Sequence, residues 1–316
     1  MLEAPEVTVP LQNFRMEGDG LALGLRLRIA PFTPLDKHRL LPHWRDSPFV
    51  DGWSDYPSLA AATFRLYGRA GRGSEVAEPL ADIGTAITAL RLFKAGDVGM
   101  AVAFQHGRER KQGRQPELMM INYTDWAARR PGYMYELSAG EWSGLRAKMR
   151  LVRRAFDRAR DHELDFGLRR FHQSFSRTRE EDRIIDYAIV LESTLLKDVK
   201  DELTYRLGLR AAALLAGRRE PQETQGWLAA LYAVRSKVVH DGKQLRGDQD
   251  VERMLRRLDD SLSPEEFPRR WEQIVRDVLN GYIAAVALGG SIKDTNEALE
   301  SRITASLKSA TRRRRH

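Results

Sequence analysis

The chain contains no cysteine among its 316 residues. This absence excludes disulfide bonds, thiolate metal sites, iron–sulfur clusters and cysteine nucleophiles. No apolar run approaches the roughly 18 residues that a membrane span needs, and the N-terminus Met1–Pro5 has neither the basic nor the apolar region of a signal peptide. We therefore expect a cytoplasmic protein that makes no contact with a membrane.

Catalytic signatures that rest on short motifs are also missing. The sequence has no GxxxxGK[ST] phosphate-binding loop, no GxGxxG after a predicted strand, no HExxH, no GxSxG and no spaced aspartate cluster for a divalent metal. We therefore expect neither a metal nor an organic cofactor. This expectation favours a reaction in which the substrate supplies its own nucleophile.

Positive charge is what the chain has in excess. The formal net charge is +8, and 30% of the residues are charged. Clustered lysine and arginine attract polyanions, so the excess of positive charge indicates a polyanionic partner such as RNA. The basic residues concentrate in segment 108–114, in the helix predicted from Arg146 to Arg160, and in the run Arg312–Arg315. The helix is better explained by a solvated face, and the run Arg312–Arg315 by a tail with loose electrostatic affinity, than either is by a shaped binding site.

Hydrophobic periodicity indicates a mixed first part of the chain. Apolar residues alternate from Leu21 to Ile29, which predicts a strand with one buried face. Further strands are predicted around Phe64 and over Val98–Phe104, with a helix from Glu78 to Lys94 between them. The stretch from Pro31 to Ser58 lacks clear periodicity and predicts irregular structure.

From Ser138 onward the period of 3.6 residues dominates. The predicted helices span residues 139–161, 162–177, 180–198, 201–217, 222–240, 248–260, 264–288 and 293–308, with breaks at Gly217, Pro221, Gly242, Pro264 and Gly289-Gly290. The fold class that follows is an α+β N-terminal domain and an all-α helical bundle, mainly helical overall. We place the domains at 1–138 and 139–290, and a C-terminal helix with a basic tail at 291–316.

An arginine stands on the apolar stripe of the helix predicted at 222–240. An unpaired buried cation is strongly unfavourable, so inward-pointing Arg235 needs a carboxylate, a phosphate or a set of carbonyl groups. His240 follows five residues later, and the stop signal Asp241-Gly242 would let the last turn bring the imidazole back toward Arg235. The stripe consists of Leu228, Leu231, Tyr232, Arg235, Val238 and Val239.

The two preceding predicted helices also carry charge on or beside an apolar stripe. Glu192 lies at the centre of one stripe, and Arg210 lies beside the next, four residues after Arg206. Two interpretations stay open. One is an ion-pair network between helices that fixes their register. The other is a polar pocket in which Glu192 orients an arginine while the guanidinium of Arg235 holds a phosphate with two hydrogen bonds.

Several of these stretches together carry a resemblance to a known family. They are Arg169-Arg170-Phe171, Glu181–Asp186, Leu191-Glu192-Ser193, Arg206–Ala212 and Arg235–His240. On them, the segment from Leu168 to Gly242 closely resembles the Apea-like branch of the HEPN superfamily, named for its occurrence in higher eukaryotes and prokaryotes. The hallmark of that superfamily is an arginine followed, after four to six residues, by a histidine, and Arg235 and His240 fit it. The resemblance implies a compact HEPN-type bundle that forms a homodimer, with both protomers contributing to one cleft.

Many HEPN proteins are metal-independent endoribonucleases that serve as toxins or antiviral defence effectors. The resemblance implies that Arg235 and His240 are catalytic here. The RNA 2′-hydroxyl would attack its own 3′-phosphate, His240 would transfer a proton near neutral pH, and Arg235 would offset the developing charge. Because one histidine cannot accept and donate a proton at once, His240 of a second copy would fill the other role.

The resemblance also implies supporting residues. Asp241 stands where the family commonly has glycine directly after the histidine, and it either orients the imidazole or caps the helix. Serine at position 236 is usual in the Apea-like branch. A second function stays open, a non-catalytic HEPN module that binds RNA or a protein partner such as an antitoxin. The supporting residues are Glu192, Arg210, Ser236 and Asp241, and the expected RNA contacts are Arg206 and Lys237.

Overall fold

The computed structural model describes most of the chain, and it is mainly helical, with the sheets in the N-terminal part. The chain divides into two compact units, Met1–Arg153 and Arg154–His316. The described residues are 6–45, 61–70, 77–106, 118–122, 126–128, 133–158, 162–197, 199–261, 263 and 266–313. The basic segment 108–114 and the end of the basic tail lie outside them.

The first unit is built on antiparallel strands. Its strands are β1 (Glu6–Pro10), β2 (Phe14–Met16), β3 (Leu21–Ala22), β4 (Leu27–Pro31), β5 (Phe64–Arg69), β6 (Val102–His106), β7 (Leu118–Asn122) and β8 (Tyr135–Leu137). Six of them form a sheet in the order β3-β4-β5-β1-β6-β7, in which every neighbouring pair is antiparallel. The remaining two, β2 and β8, pair in parallel.

One face of the six-stranded sheet packs against helix α2 (Ala77–Phe93). Val7, Leu27 and Leu66 point to this face and are almost completely buried. Gly68 lies on the same face, where a side chain would meet Pro79 of α2 at 3.2 Å. Burial of apolar residues on alternate strand positions therefore holds the helix to the sheet.

Two sequence predictions for the first unit are wrong. The segment from Leu21 to Ile29 is not one strand but a hairpin of β3 and β4. The amides of Leu23 and Gly24 both donate to the carbonyl of Leu27, which closes the turn and leaves Leu25 fully exposed. The stretch predicted as irregular contains helix α1 (Pro34–Arg45). Thr33 and Asp36 cap its first turn reciprocally, with the amide of each donating to the side chain of the other.

Helices make up the second unit. Helix α3 (Trp142–Arg158) contains the division between the units, which lies between Arg153 and Arg154. The sequence predicts the second domain to start earlier, at residue 139. The others are α4 (His162–Ser176), α5 (Glu180–Leu195), α6 (Leu203–Leu214), α7 (Pro221–Asp241), α8 (Gln249–Leu258), α9 (Phe267–Ala287) and α10 (Ile292–Arg313). Each corresponds to a predicted helix, so the helical reading of this part is confirmed. None of the described helices is long and apolar enough to cross a bilayer.

The core of the second unit encloses an ion pair. Glu272 and Arg276, one turn apart on α9, are hydrogen-bonded to each other with side chains 4% and 1% exposed. The hydroxyl of Tyr187 on α5 donates to the second carboxylate oxygen of Glu272 at 3.1 Å. Since a buried charge is tolerated only when it is paired and hydrogen-bonded, this group fixes α5 against α9.

Replacing Glu272 with alanine should lower the free energy of unfolding by about 3–5 kcal/mol, because Arg276 would stay buried without its carboxylate. Urea unfolding measures the change. The control is Glu297→Ala, which removes an exposed partner 4.0 Å from Lys293 and should change stability by less than about 0.5 kcal/mol. A Glu272→Ala protein as stable as the control would contradict this role.

Candidate functional site

Helix α7 carries both residues of the predicted pair. Pro221 occupies its first turn, and Gly242 ends it with a φ of 63°. The amides of Gly242 and Lys243 both donate back to the carbonyl of Lys237, the second at 3.2 Å, and these bonds close the C-terminus of the helix. Since the left-handed conformation favours glycine, the predicted stop at Gly242 is confirmed.

Burial along α7 decreases toward its C-terminus. The buried row runs through Trp227, Leu228, Leu231 and Val234, so it is rotated from the predicted stripe and leaves Arg235 at its edge. A row of this kind follows the spacing of three and four residues, and Val234 rather than Arg235 continues it. In the last two turns Arg235, Lys237 and Val238 are half-buried, whereas Ser236, Val239, His240 and Asp241 are exposed.

The guanidinium of Arg235 lacks a full set of partners. Its Nε is buried, yet it makes no hydrogen bond to any residue that the structure describes. A buried N–H group without an acceptor costs free energy comparable to a lost hydrogen bond. The guanidinium thus keeps unused hydrogen-bond donors in the described chain, and its geometry matches that of a phosphate.

Tyr232 and Glu192 lie beside this arginine. The Tyr232 hydroxyl on α7 donates to Glu192 Oε1 on α5 at 2.9 Å. Burial raises the pKa of Tyr232 far above its usual range, the Glu192 carboxylate raises it further, and the charge of Arg235 acts in the opposite direction. A second bond, from the amide of Leu245 to Glu181, shows that α5 and α7 run antiparallel. The three side chains thus form one polar group between two helices, and the role of Tyr232 in it is not evident from the sequence, where Tyr232 is one member of an apolar stripe.

Arg210 does not join that group, so the single network of Glu192, Arg210 and Arg235 is not formed. Its Nε donates to Glu300 on α10 at 2.8 Å, and its second nitrogen donates to the carbonyl of Leu195 at 2.6 Å. Glu300 lies 90 positions away in the chain, so no local spacing pairs it with Arg210. Arg210 therefore ties α6 to α10 and to the end of α5, as a structural ion pair would.

Arg206 also faces α10. It lies 3.5 Å from Glu300 and 3.9 Å from Glu202, and it forms no ion pair with α7 among the described residues. The structure therefore places the expected RNA contact Arg206 apart from Arg235, whereas Lys237 lies within the same two turns of α7.

His240 lies in the last turn of α7 with its side chain exposed. Because the helix continues through Asp241, the expected swing of the imidazole toward Arg235 does not occur. Five helical residues separate the two positions by about 140° around the axis and about 7.5 Å along it. The Asp241 carboxylate makes no hydrogen bond to His240 or to the helix end within the described chain.

No family model matches the chain, and neither a curated protein nor a solved structure matches it.

Replacing Tyr232 with phenylalanine should destabilise the protein by about 1–2 kcal/mol near pH 8, because the carboxylate of Glu192 loses its donor. The raised pKa adds a pH dependence: the native state holds the phenol proton more tightly, so this stabilisation is full below about pH 10 and declines as the pH rises further. Urea unfolding near pH 8 and again above about pH 10 measures this change. Tyr205→Phe, at a site 60% exposed, is the control. If the free energy of unfolding fell equally with rising pH in wild type and in Tyr232→Phe, this role of the Tyr232 hydroxyl would be contradicted.

Proposed function

We propose that the chain is a cytoplasmic HEPN-type endoribonuclease of the Apea-like branch, which cleaves RNA without a metal at a site shared by two copies of the chain. The observation that carries the proposal is the buried Nε of Arg235, which has no partner among the described residues. It lies one and a half turns before an exposed histidine. A role as a toxin or antiviral defence effector follows from the resemblance alone.

The chemistry that these residues support is internal transfer at a phosphate. The 2′-hydroxyl of the RNA attacks the adjacent phosphorus, the bond to the 5′-oxygen breaks, and a 2′,3′-cyclic phosphate forms. Arg235 offers donors to the non-bridging oxygens, where negative charge builds up. An imidazole accepts the 2′ proton, and another donates a proton to the leaving 5′-oxygen.

Two copies of the chain supply the two imidazoles. One chain contributes a single His240, about 140° around α7 from Arg235, so the second imidazole at the phosphate comes from a partner. The end of α7 has surface suited to such contact, because Val239 is 45% exposed and Val238 is half-buried. A twofold axis close to this end would bring both His240 side chains into one cleft.

The group around Arg235 prepares it for this task. Tyr232 is hydrogen-bonded to Glu192, so the carboxylate is already engaged and forms no ion pair with Arg235. The guanidinium then keeps free donors for an incoming phosphate, while the negative charge of Glu192 remains near it. Lys237 adds a second cation on the same two turns.

Cleavage should persist in EDTA and should give products that end in a 2′,3′-cyclic phosphate. His240→Ala and Arg235→Gln should each reduce the cleavage rate by at least about 100-fold, the usual contribution of a general acid–base or an oxyanion donor. His38→Ala and Arg256→Gln change exposed residues of α1 and α8 and serve as matched controls. Cleavage that survives in His240→Ala, or that falls equally in the controls, would contradict the proposal.

Val239→Asp should convert the dimer to a monomer, because an aspartate at the contact would lose its hydration and face its own copy. Light scattering coupled to gel filtration measures the mass, and unfolding measurements verify that this surface change leaves the fold intact. Ser301→Asp, at an exposed site on α10, is the control. A monomeric Val239→Asp protein with full cleavage activity would show that the site does not need two copies.

The second candidate is a HEPN module that binds RNA or a protein partner such as an antitoxin without cutting RNA. One observation favours it: the imidazole of His240 makes no hydrogen bond to a described residue that would orient it or fix its tautomer. RNA that is retarded in gels by the wild-type protein but stays intact under all conditions would select this function over the first.

A further inference from the structure

A second cluster of arginines lies in the first unit, on strands β4 and β5. Residues Arg65, Tyr67 and Arg69 alternate along β5, and Arg28 on β4 is the register partner of Tyr67. By this alternation they occupy the sheet face opposite Leu27, Leu66 and Gly68, which pack toward α2. This face therefore presents cations and an aromatic ring to solvent.

Three of these side chains, Arg28, Tyr67 and Arg69, line a cleft of about 410 Å³. Its walls include Leu25, Arg26, Arg28, Tyr67 and Arg69. The volume is that of a small-molecule site. Leu25, at the hairpin turn, exposes its entire side chain at the cleft, although an apolar residue there contributes nothing to the core.

Folding accounts for two of the three cleft arginines. Arg69 donates twice to Glu6, with the shorter distance 2.7 Å, and Arg26 donates to Glu78 at 3.1 Å. Neither carboxylate lines the cleft. The Arg69 amide donates to the Arg26 carbonyl, which brings these two arginines close together. Because like charges on adjacent strands repel, the two carboxylates also reduce the repulsion between Arg26 and Arg69.

Arg28 is different because it forms no ion pair with a described residue. Its guanidinium lies over the ring of Tyr67 at 5.0 Å from the centroid. The Tyr67 hydroxyl is bonded to Glu6, and burial together with that carboxylate raises the pKa of Tyr67 to about 12. The ring is therefore held in place, and the guanidinium of Arg28 over it keeps donors free for a ligand.

We propose that this cleft binds a nucleotide unit, with its phosphate on the arginines and its base against the Arg28–Tyr67 pair and Leu25. A guanidinium binds phosphate through paired donors, and nucleobases stack on guanidinium planes and aromatic rings. The unit belongs either to a free nucleotide or to single-stranded RNA, which share this chemistry. The site goes beyond the proposed cleavage, and it can exist whether or not the chain cuts RNA.

Fluorescence anisotropy of the full chain with a labelled single-stranded 2′-O-methyl oligoribonucleotide tests the site, because this probe lacks the 2′-hydroxyl and cannot be cleaved. Arg28→Gln should weaken binding at least about tenfold, the loss expected for charged hydrogen bonds. Leu25→Ala should weaken it by a smaller factor without any change in charge. Arg15→Gln, which removes an exposed arginine of β2, should leave the affinity within a factor of about two. Equal losses in Arg28→Gln and Arg15→Gln, or none in either, would overturn the proposal.

Competition identifies the source of the ligand. AMP that displaces the probe at concentrations below those of the unlabelled oligonucleotide assigns a free nucleotide, and the reverse order assigns an RNA strand. Inorganic tripolyphosphate that competes as well as AMP would overturn the proposal, because the base would then contribute nothing.

Failure of this site and failure of the cleavage site are distinguishable. A wild-type chain that never cuts RNA, but whose binding depends on Arg28, refutes the cleavage and supports the cleft. Cleavage that depends on Arg235, together with unchanged probe binding in Arg28→Gln, refutes the cleft alone.

Discussion

The guanidinium of Arg235 is the constraint on which the functional account depends. The apolar row of α7 places it at the edge of the helix packing, where its Nε is buried and meets no acceptor among the described residues. The nearby carboxylate of Glu192 is engaged by the hydroxyl of Tyr232 instead. A cation that is partly withdrawn from water and incompletely paired is costly for the free protein, and the same cost favours binding of a phosphate.

Other buried charges of the second unit are satisfied, which makes the contrast informative. Arg276 has Glu272, and Arg210 has Glu300 and a backbone carbonyl. Asp186 forms ion pairs with Arg170 on α4 and with Arg177, which follows the end of α4. The interpretation of inward charges as ion pairs that fix helix register therefore fits these residues, and Arg235, whose Nε has no partner among the described residues, is the exception.

Much of the helical architecture was predictable because it depends on local signals. Spacing of three and four residues located the helices of the second unit, and Gly242 marked the end of α7 through its left-handed backbone. Which side of α7 is buried was not predictable. Val234 and Arg235 are adjacent in the chain, and only packing against the neighbouring helices determines which of them is buried. The Arg210–Glu300 and Glu192–Tyr232 contacts depend on packing of distant segments. The hairpin at Leu25 was missed because apolar alternation continues through the turn, although Gly24 lay within it.

A crystal structure of the full chain with a short 2′-O-methyl oligoribonucleotide tests the central claim most directly. The account predicts a dimer in which a phosphate oxygen lies about 3 Å from a guanidinium nitrogen of Arg235, with a His240 from each chain beside that phosphate. A monomer, or a dimer in which Arg235 is sealed against protein groups and both His240 side chains face away from the RNA, would contradict it.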